Sequence, residues 1–107
     1  AHEFFFTFVK DKKPTFNSEY DNAIYRYPLC HGKERLDHPT QKPLLLIKDI
    51  VQKHSNPGDL VLDTFSGSGT LAEACLLLGR NFLCIERDEK YYQMSLERIK
   101  QLEINKI

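Results

Sequence analysis

Two carboxylates and a pair of glycines are the residues best suited to chemistry. Asp63 closes the apolar run Leu60-Val61-Leu62 and is followed by Thr-Phe-Ser-Gly-Ser-Gly-Thr, ending at Thr70. Glu86 closes a second apolar run that begins at Asn81, 19 residues beyond Gly67. Residues 67–72, Gly-Ser-Gly-Thr-Leu-Ala, fit the loose pattern G-x-G-x-x-G/A, which is informative only between a strand and a helix. In that setting Gly67 permits a tight turn, and Gly69 removes a Cβ that would block a ligand. Backbone N–H groups at the helix start would then face the ligand. An acid about 20 residues further on suits ribose hydroxyls.

Asp63 divides the ligands that such a turn can take. A dinucleotide would bring its pyrophosphate here, and like charges about 4 Å apart repel by roughly 4 kcal/mol at an effective dielectric near 20. A nucleoside with a cationic tail would be attracted instead. S-adenosylmethionine (AdoMet), with an adenosine, a sulfonium, an α-ammonium and no phosphate, has that chemistry. Each acid also has a plainer use. Asp63 can cap its own turn by accepting from nearby backbone N–H groups. Glu86 can cap the helix that follows, although Asp88 is better placed to do so.

The elements that must position these residues follow from hydrophobic period and punctuation. Residues 2–10, His-Glu-Phe-Phe-Phe-Thr-Phe-Val-Lys, predict a buried N-terminal strand within residues 1–10. Residues 11–37 are irregular and polar, a long loop of the kind that is functional or mobile. Within 38–59, Pro43 suits a first helical turn, positions 44, 46, 47, 50 and 51 make one apolar face, and Asn56-Pro57-Gly58 ends the helix. Strands are predicted at 60–63 and 81–86. Helices are predicted at 70–79, closed by Gly79, and at 88–104, with Tyr92, Leu96, Ile99 and Leu102 on its apolar face. This order predicts an α/β fold with a parallel strand pair. Parallel strands need both faces covered, so two of them and one N-terminal strand make a deficient sheet. The remaining strands are expected from a missing part of the chain or from a partner.

The chain resembles a known family at two places. Residues 63–70, Asp-Thr-Phe-Ser-Gly-Ser-Gly-Thr, resemble the AdoMet motif Asp-Pro-Phe-x-Gly-Ser-Gly-Thr of amino-group DNA methyltransferases, which methylate adenine N6 or cytosine N4. Residues 38–43, His-Pro-Thr-Gln-Lys-Pro, resemble the segment ahead of that motif in the circularly permuted β group. The resemblance covers residues 33–104 well and the aromatic segment 2–10 more loosely. It implies a Rossmann-like AdoMet-dependent methyltransferase fold, incomplete here, with residues 38–107 as its AdoMet-binding segment. It further implies that Asp63, Phe65, Gly67, Gly69 and Thr70 line the methionine side of AdoMet and that Glu86 holds the ribose. Thr40 and Lys42 would meet the methionine carboxylate; a hydroxyl and an ammonium ahead of a helix N-terminus suit that anion. Without the family, Lys42 reads as a solvated surface lysine. Thr64 replaces the commoner proline, which alters only the rigidity of the turn.

The family's catalytic motif, (Asp/Asn/Ser)-Pro-Pro-(Tyr/Phe), is absent. The five prolines, at 14, 28, 39, 43 and 57, include no adjacent pair. Extruding and gripping a base in duplex DNA needs that pocket, so no catalytic residue is assigned and the chain alone is expected to be inactive. A missing N-terminal half or a partner chain would carry the Pro-Pro motif, and double-stranded DNA would be the substrate of the complete enzyme. Loop 11–37 falls where this group often places target-recognition sequence. Lys10, Lys12, Lys13, Arg26, Lys33 and Arg35 suit phosphates, and Tyr20, Tyr25 and Tyr27 suit packing on DNA, or all are ordinary surface residues. Other readings remain open: an NAD- or FAD-binding half-domain, or a non-catalytic subunit completing another chain.

Composition agrees with one small globular domain and does not by itself point to nucleic acid. There are 107 residues, with 15 basic and 15 acidic side chains. Cys30, Cys75 and Cys84 show no metal spacing with His2, His31, His38 or His54, so no metal is expected; Cys75 and Cys84 read as reduced core residues. No leader or membrane-spanning run is evident, and a cytoplasmic location is expected. The strand-like sequence starting at Ala1 suggests a segment cut from something longer.

Overall fold

Local sequence sets each element in the computed structural model, which describes residues 5–10, 13–18 and 42–105. Helix α1 runs Leu44–His54, strand β1 Leu60–Asp63, helix α2 Thr70–Leu78, strand β2 Asn81–Cys84 and helix α3 Glu89–Ile104. Pro43 stands one step earlier than expected, as the N-cap of α1 in an extended conformation. Helix α2 begins at Gly69 and ends at Gly79, both left-handed. Asp88 caps α3, its carboxylate accepting from the Tyr91 amide at 3.2 Å.

The two strands pair in parallel, Leu60 with Asn81 through Asp63 with Cys84. Strand β2 is two residues shorter than the expected 81–86, yet Ile85 continues its bonding. The Ile85 amide donates to Asp63 O at 2.8 Å, and Ile85 O accepts from the Ser66 amide at 3.0 Å. Alternation then sorts the side chains. Val61 and Phe82 pack toward Val51, Ala74 and Cys75, the core between the sheet, α1 and α2. Helix α3 packs on α2. Having neighbours on several sides explains why α2 is apolar almost all round, with Ala72, Ala74 and Cys75 buried. The opposite sheet face carries Leu60, Leu62 and Leu83, all exposed, and Ile85 beyond the strand is exposed as well. An open groove of about 650 Å³ runs between α1 and β1, lined by Ile50, Val51, His54, Leu60, Leu62 and Leu71 among others. The sheet deficit read from the sequence is thus visible among the described residues.

Two expectations are corrected here. Residues 5–10 form no strand, and Phe6 and Phe8 are 81% and 89% exposed. Their apolar pattern is strand-like, but a strand exists only against a hydrogen-bonded neighbour, and the described sheet is β1 with β2. Residues 1–4 lie outside the described residues. In α3, Tyr92 and Leu96 are exposed, and the buried position is Ser95, flanked by the half-buried Tyr91, Met94, Arg98 and Ile99. A small residue wins that contact because Gly69 stands opposite. A Cβ built on Gly69 would lie 2.9 Å from Ser95 Cβ.

The ends of the strands opposite Asp63 and Glu86 are held by Arg80, itself buried. Its guanidinium donates to Ser55 Oγ at 2.9 Å, to Ser55 O at 2.6 Å and to Leu78 O at 2.8 Å. One cation therefore serves the last carbonyls of both α1 and α2, groups that no helical N–H can reach. Asn17 completes the set. Its amide donates to Lys53 O at 2.8 Å, and its Nδ2 donates to Gln52 O, Ser55 O and Asn56 Oδ1. The Phe16 ring lies against His54, with centroids 5.5 Å apart.

Replacing Arg80 with methionine, which fills similar space without donors, should cost about 3 kcal/mol of unfolding free energy in urea titrations. A loss within error would show that the helix ends are satisfied otherwise. Gly69→Ala combines a φ of +96° with overlap against Ser95 and should cost about 2–4 kcal/mol. Ser95→Gly in the same background should recover the overlap portion alone.

Candidate functional site

The glycine turn, residues 64–69, lies at the carboxyl ends of both parallel strands, where open α/β sheets bind their ligands. Glu86 fastens it. One carboxylate oxygen accepts from the Gly67 amide at 2.8 Å and the other from the Asp88 amide at 2.7 Å. The acid thus ties the turn to the loop leading into α3. Asp63 Oδ1 accepts from the Phe65 amide at 3.0 Å, so the turn-capping use of this residue is realised. The Gly69 amide donates to Ser66 O at 3.0 Å. Gly67 and Gly69 take positive φ values of 56° and 96°, as the turn requires.

These bonds account for four of the turn's amides. The amides of Phe65, Ser66, Gly67 and Gly69 all donate inside the protein. These four are therefore not free to bind a phosphate. What the turn offers instead is carboxylate: each oxygen has two lone pairs, and the turn engages one on each Glu86 oxygen and one on Asp63. Hydroxyl or ammonium donors suit the remainder. Phe65 is 90% exposed beside these acids, an apolar face able to take a ring or a methylene chain.

The other expected contacts divide. A Cβ on Gly69 would meet Ser95, which gives a packing reason for glycine at this position. Thr70 is buried, and its Oγ1 accepts from Arg98 Nη1 at 3.2 Å, so its side chain faces α3. Lys42 is exposed just ahead of α1. Thr40 and the other residues of 38–41 lie outside the described residues, as do Cys30 and 19–37, which include most of the loop considered for DNA contact. Among the described residues no three His, Cys, Asp or Glu side chains group to hold a metal ion. No helix among them is long and apolar enough to cross a membrane. Sequence reasoning missed Arg98, Ser95 and Arg80. A polar residue on an amphipathic helix or at a strand start gives no sign of what lies opposite.

Cys84 pairs with Asp63 across the strands and senses it. Burial, then the Asp63 carboxylate and then the Cys75 thiol push the Cys84 thiol up to about 11. The Cys75 thiol is also raised, chiefly by burial, which the nearby Arg80 charge opposes and Asp63 reinforces. Both are free thiols. With iodoacetamide at pH 8 and site-resolved mass spectrometry, Cys84 should react at least about tenfold more slowly than in the urea-unfolded chain. Asp63→Asn should accelerate it; equal rates in the folded and unfolded chains would contradict this packing.

Known proteins show the family. The family model N6_N4_Mtase, described as DNA methylase, matches residues 1–97. Type II methyltransferase M.HinfI of Haemophilus influenzae is 33% identical over 98% of this chain and 34% of its own length. DNA adenine methyltransferase YhdJ of Escherichia coli K12 is 48% identical over 59% of this chain and 21% of its own length. A crystal structure of an M1.HpyAVI–SAM complex superposes with a TM-score of 0.67 and 42% identity, covering 80% of this chain and 43% of that one. The chain therefore spans less than half the length of each of these relatives.

Proposed function

Because the chain belongs to the N6/N4 DNA methylase family, we propose that it is the AdoMet-binding segment of a DNA methyltransferase acting on an exocyclic amino group. Adenine N6 is the favoured target, in line with the name of the YhdJ relative, and cytosine N4 is the alternative. The observation that carries the reading is the glycine turn, four of whose amides donate internally while Asp63 and Glu86 stand beside it. Such a turn suits a cationic nucleoside and not a pyrophosphate, which argues against the dinucleotide alternative.

In this reading Glu86 accepts the ribose hydroxyls and Asp63 faces the positive methionine end. Phe65 covers the ligand's apolar surface. Gly67, Gly69 and Thr70 shape the turn, and Thr40 and Lys42 meet the methionine carboxylate. Bound AdoMet would supply an electrophilic methyl group. The residues of this chain bind and orient it and leave its methyl side open to a base pocket. That pocket requires the adjacent prolines that these 107 residues lack. A further segment or a partner chain carrying them would supply it, and the same piece would cover the exposed Leu60, Leu62 and Leu83. Residues 11–37 are the candidate target-recognition segment of the complete enzyme, with an ordinary surface loop as the alternative.

Calorimetric titration of the purified chain with AdoMet tests the reading, with NADH as the control ligand. Saturable AdoMet binding is expected, weakened about 10–100-fold by Asp63→Ala, with no NADH binding and no methyl incorporation into DNA. Binding of NADH, or failure of a folded chain to bind AdoMet, would refute it.

A further inference from the structure

The glycine turn is also gripped from α3, by a residue outside the contacts proposed for the cofactor. The Arg98 side chain is only 11% exposed. Its Nε donates to Glu73 Oε1 at 2.5 Å, and its Nη1 donates to Thr70 Oγ1 at 3.2 Å and reaches Ser68 O at 3.5 Å. The guanidinium thus touches a carbonyl of the turn, the first residue of α2 and the acid in that helix's first turn. One helical turn earlier, Ser95 occupies the space that a side chain on Gly69 would need. Two positions of α3 therefore meet three consecutive residues of the turn and helix start, 68–70.

We propose that Arg98 is a positioning residue for the cofactor turn, its planar fork holding residues 68–70 in the conformation that the ligand meets. The proposal rests on the AdoMet reading for its functional consequence, but not for its structural one. A plain interhelical ion pair would need only a cation opposite Glu73. The turn contacts need a second N–H arm pointing away from that carboxylate, which arginine has and lysine lacks. Glu73 fixes the orientation of the fork and so aims the second arm.

Arg98→Lys keeps a charge opposite Glu73 and loses the second arm, whereas Thr70→Val keeps the ion pair and removes the nearer of that arm's two acceptors. Amide hydrogen exchange followed by NMR, thermal melting and AdoMet calorimetry on the 107-residue chain separate the roles. In both variants the Gly67 and Gly69 amides should exchange about tenfold faster, while amides of β1 and β2 hold their rates. AdoMet affinity should fall about tenfold in Arg98→Lys with little change in melting temperature. Unchanged exchange at Gly67 and Gly69, or equal acceleration throughout the sheet, overturns the proposal. Faster turn exchange in a chain whose parent binds no AdoMet sustains the positioning role and defeats the cofactor reading. Normal AdoMet binding with unaltered turn exchange does the reverse.

Discussion

The Glu86 carboxylate between the Gly67 and Asp88 amides is the contact on which the site depends. A glycine turn has many accessible conformations, and its own residues cannot select one. Glu86 selects from outside, at the end of the neighbouring strand, and reaches the turn only because β1 and β2 lie in parallel register with their carboxyl ends together. Ser66 bonding to Ile85 O adds a second tie between the same two partners. The chemistry of the site follows from this arrangement. A turn with four amides already engaged has less to offer an anion, and the acids that engage two of them make the region negative.

The two ends of the strand pair are built in opposite senses. At one end, Arg80 brings a single cation to helix carbonyls; at the other, Asp63, Glu86 and Asp88 bring carboxylates to amides. Both follow the same need, since helix and strand ends leave backbone groups without regular partners.

Much of this was legible in the sequence, for identifiable reasons. The spans of β1 and α2, the caps Gly79 and Asp88, and the parallel pairing follow from local punctuation and period. The capping of the turn by Asp63 followed from its strand-end position, whereas the tie from Glu86 to the Gly67 amide did not. What escaped were facts about which face meets which. The apolar stripe of α3 is only partly covered, Ile99 and Leu102 half-buried but Tyr92 and Leu96 exposed, while Ser95 meets Gly69 and Arg98 faces inward. The aromatic run at 5–9 has the composition of a strand and no ladder to join. Composition specifies what a segment is suited to, and neighbours decide whether it does so.

Asn17 has a consequence for how such a protein can diversify. It is bonded to the last turn of α1, and Lys42 stands just ahead of the first. The 24 residues of 18–41 therefore leave from one end of an 11-residue helix and return to the other. That helix fixes their endpoints about 16 Å apart. Lengthening or shortening the chain between two fixed posts changes its closure entropy only slowly, by about 0.6 kcal/mol per doubling. Insertions and deletions there leave the posts in place. Natural variation can rewrite the part of this stretch ahead of residue 38 while the glycine turn, built entirely from residues beyond it, keeps its geometry.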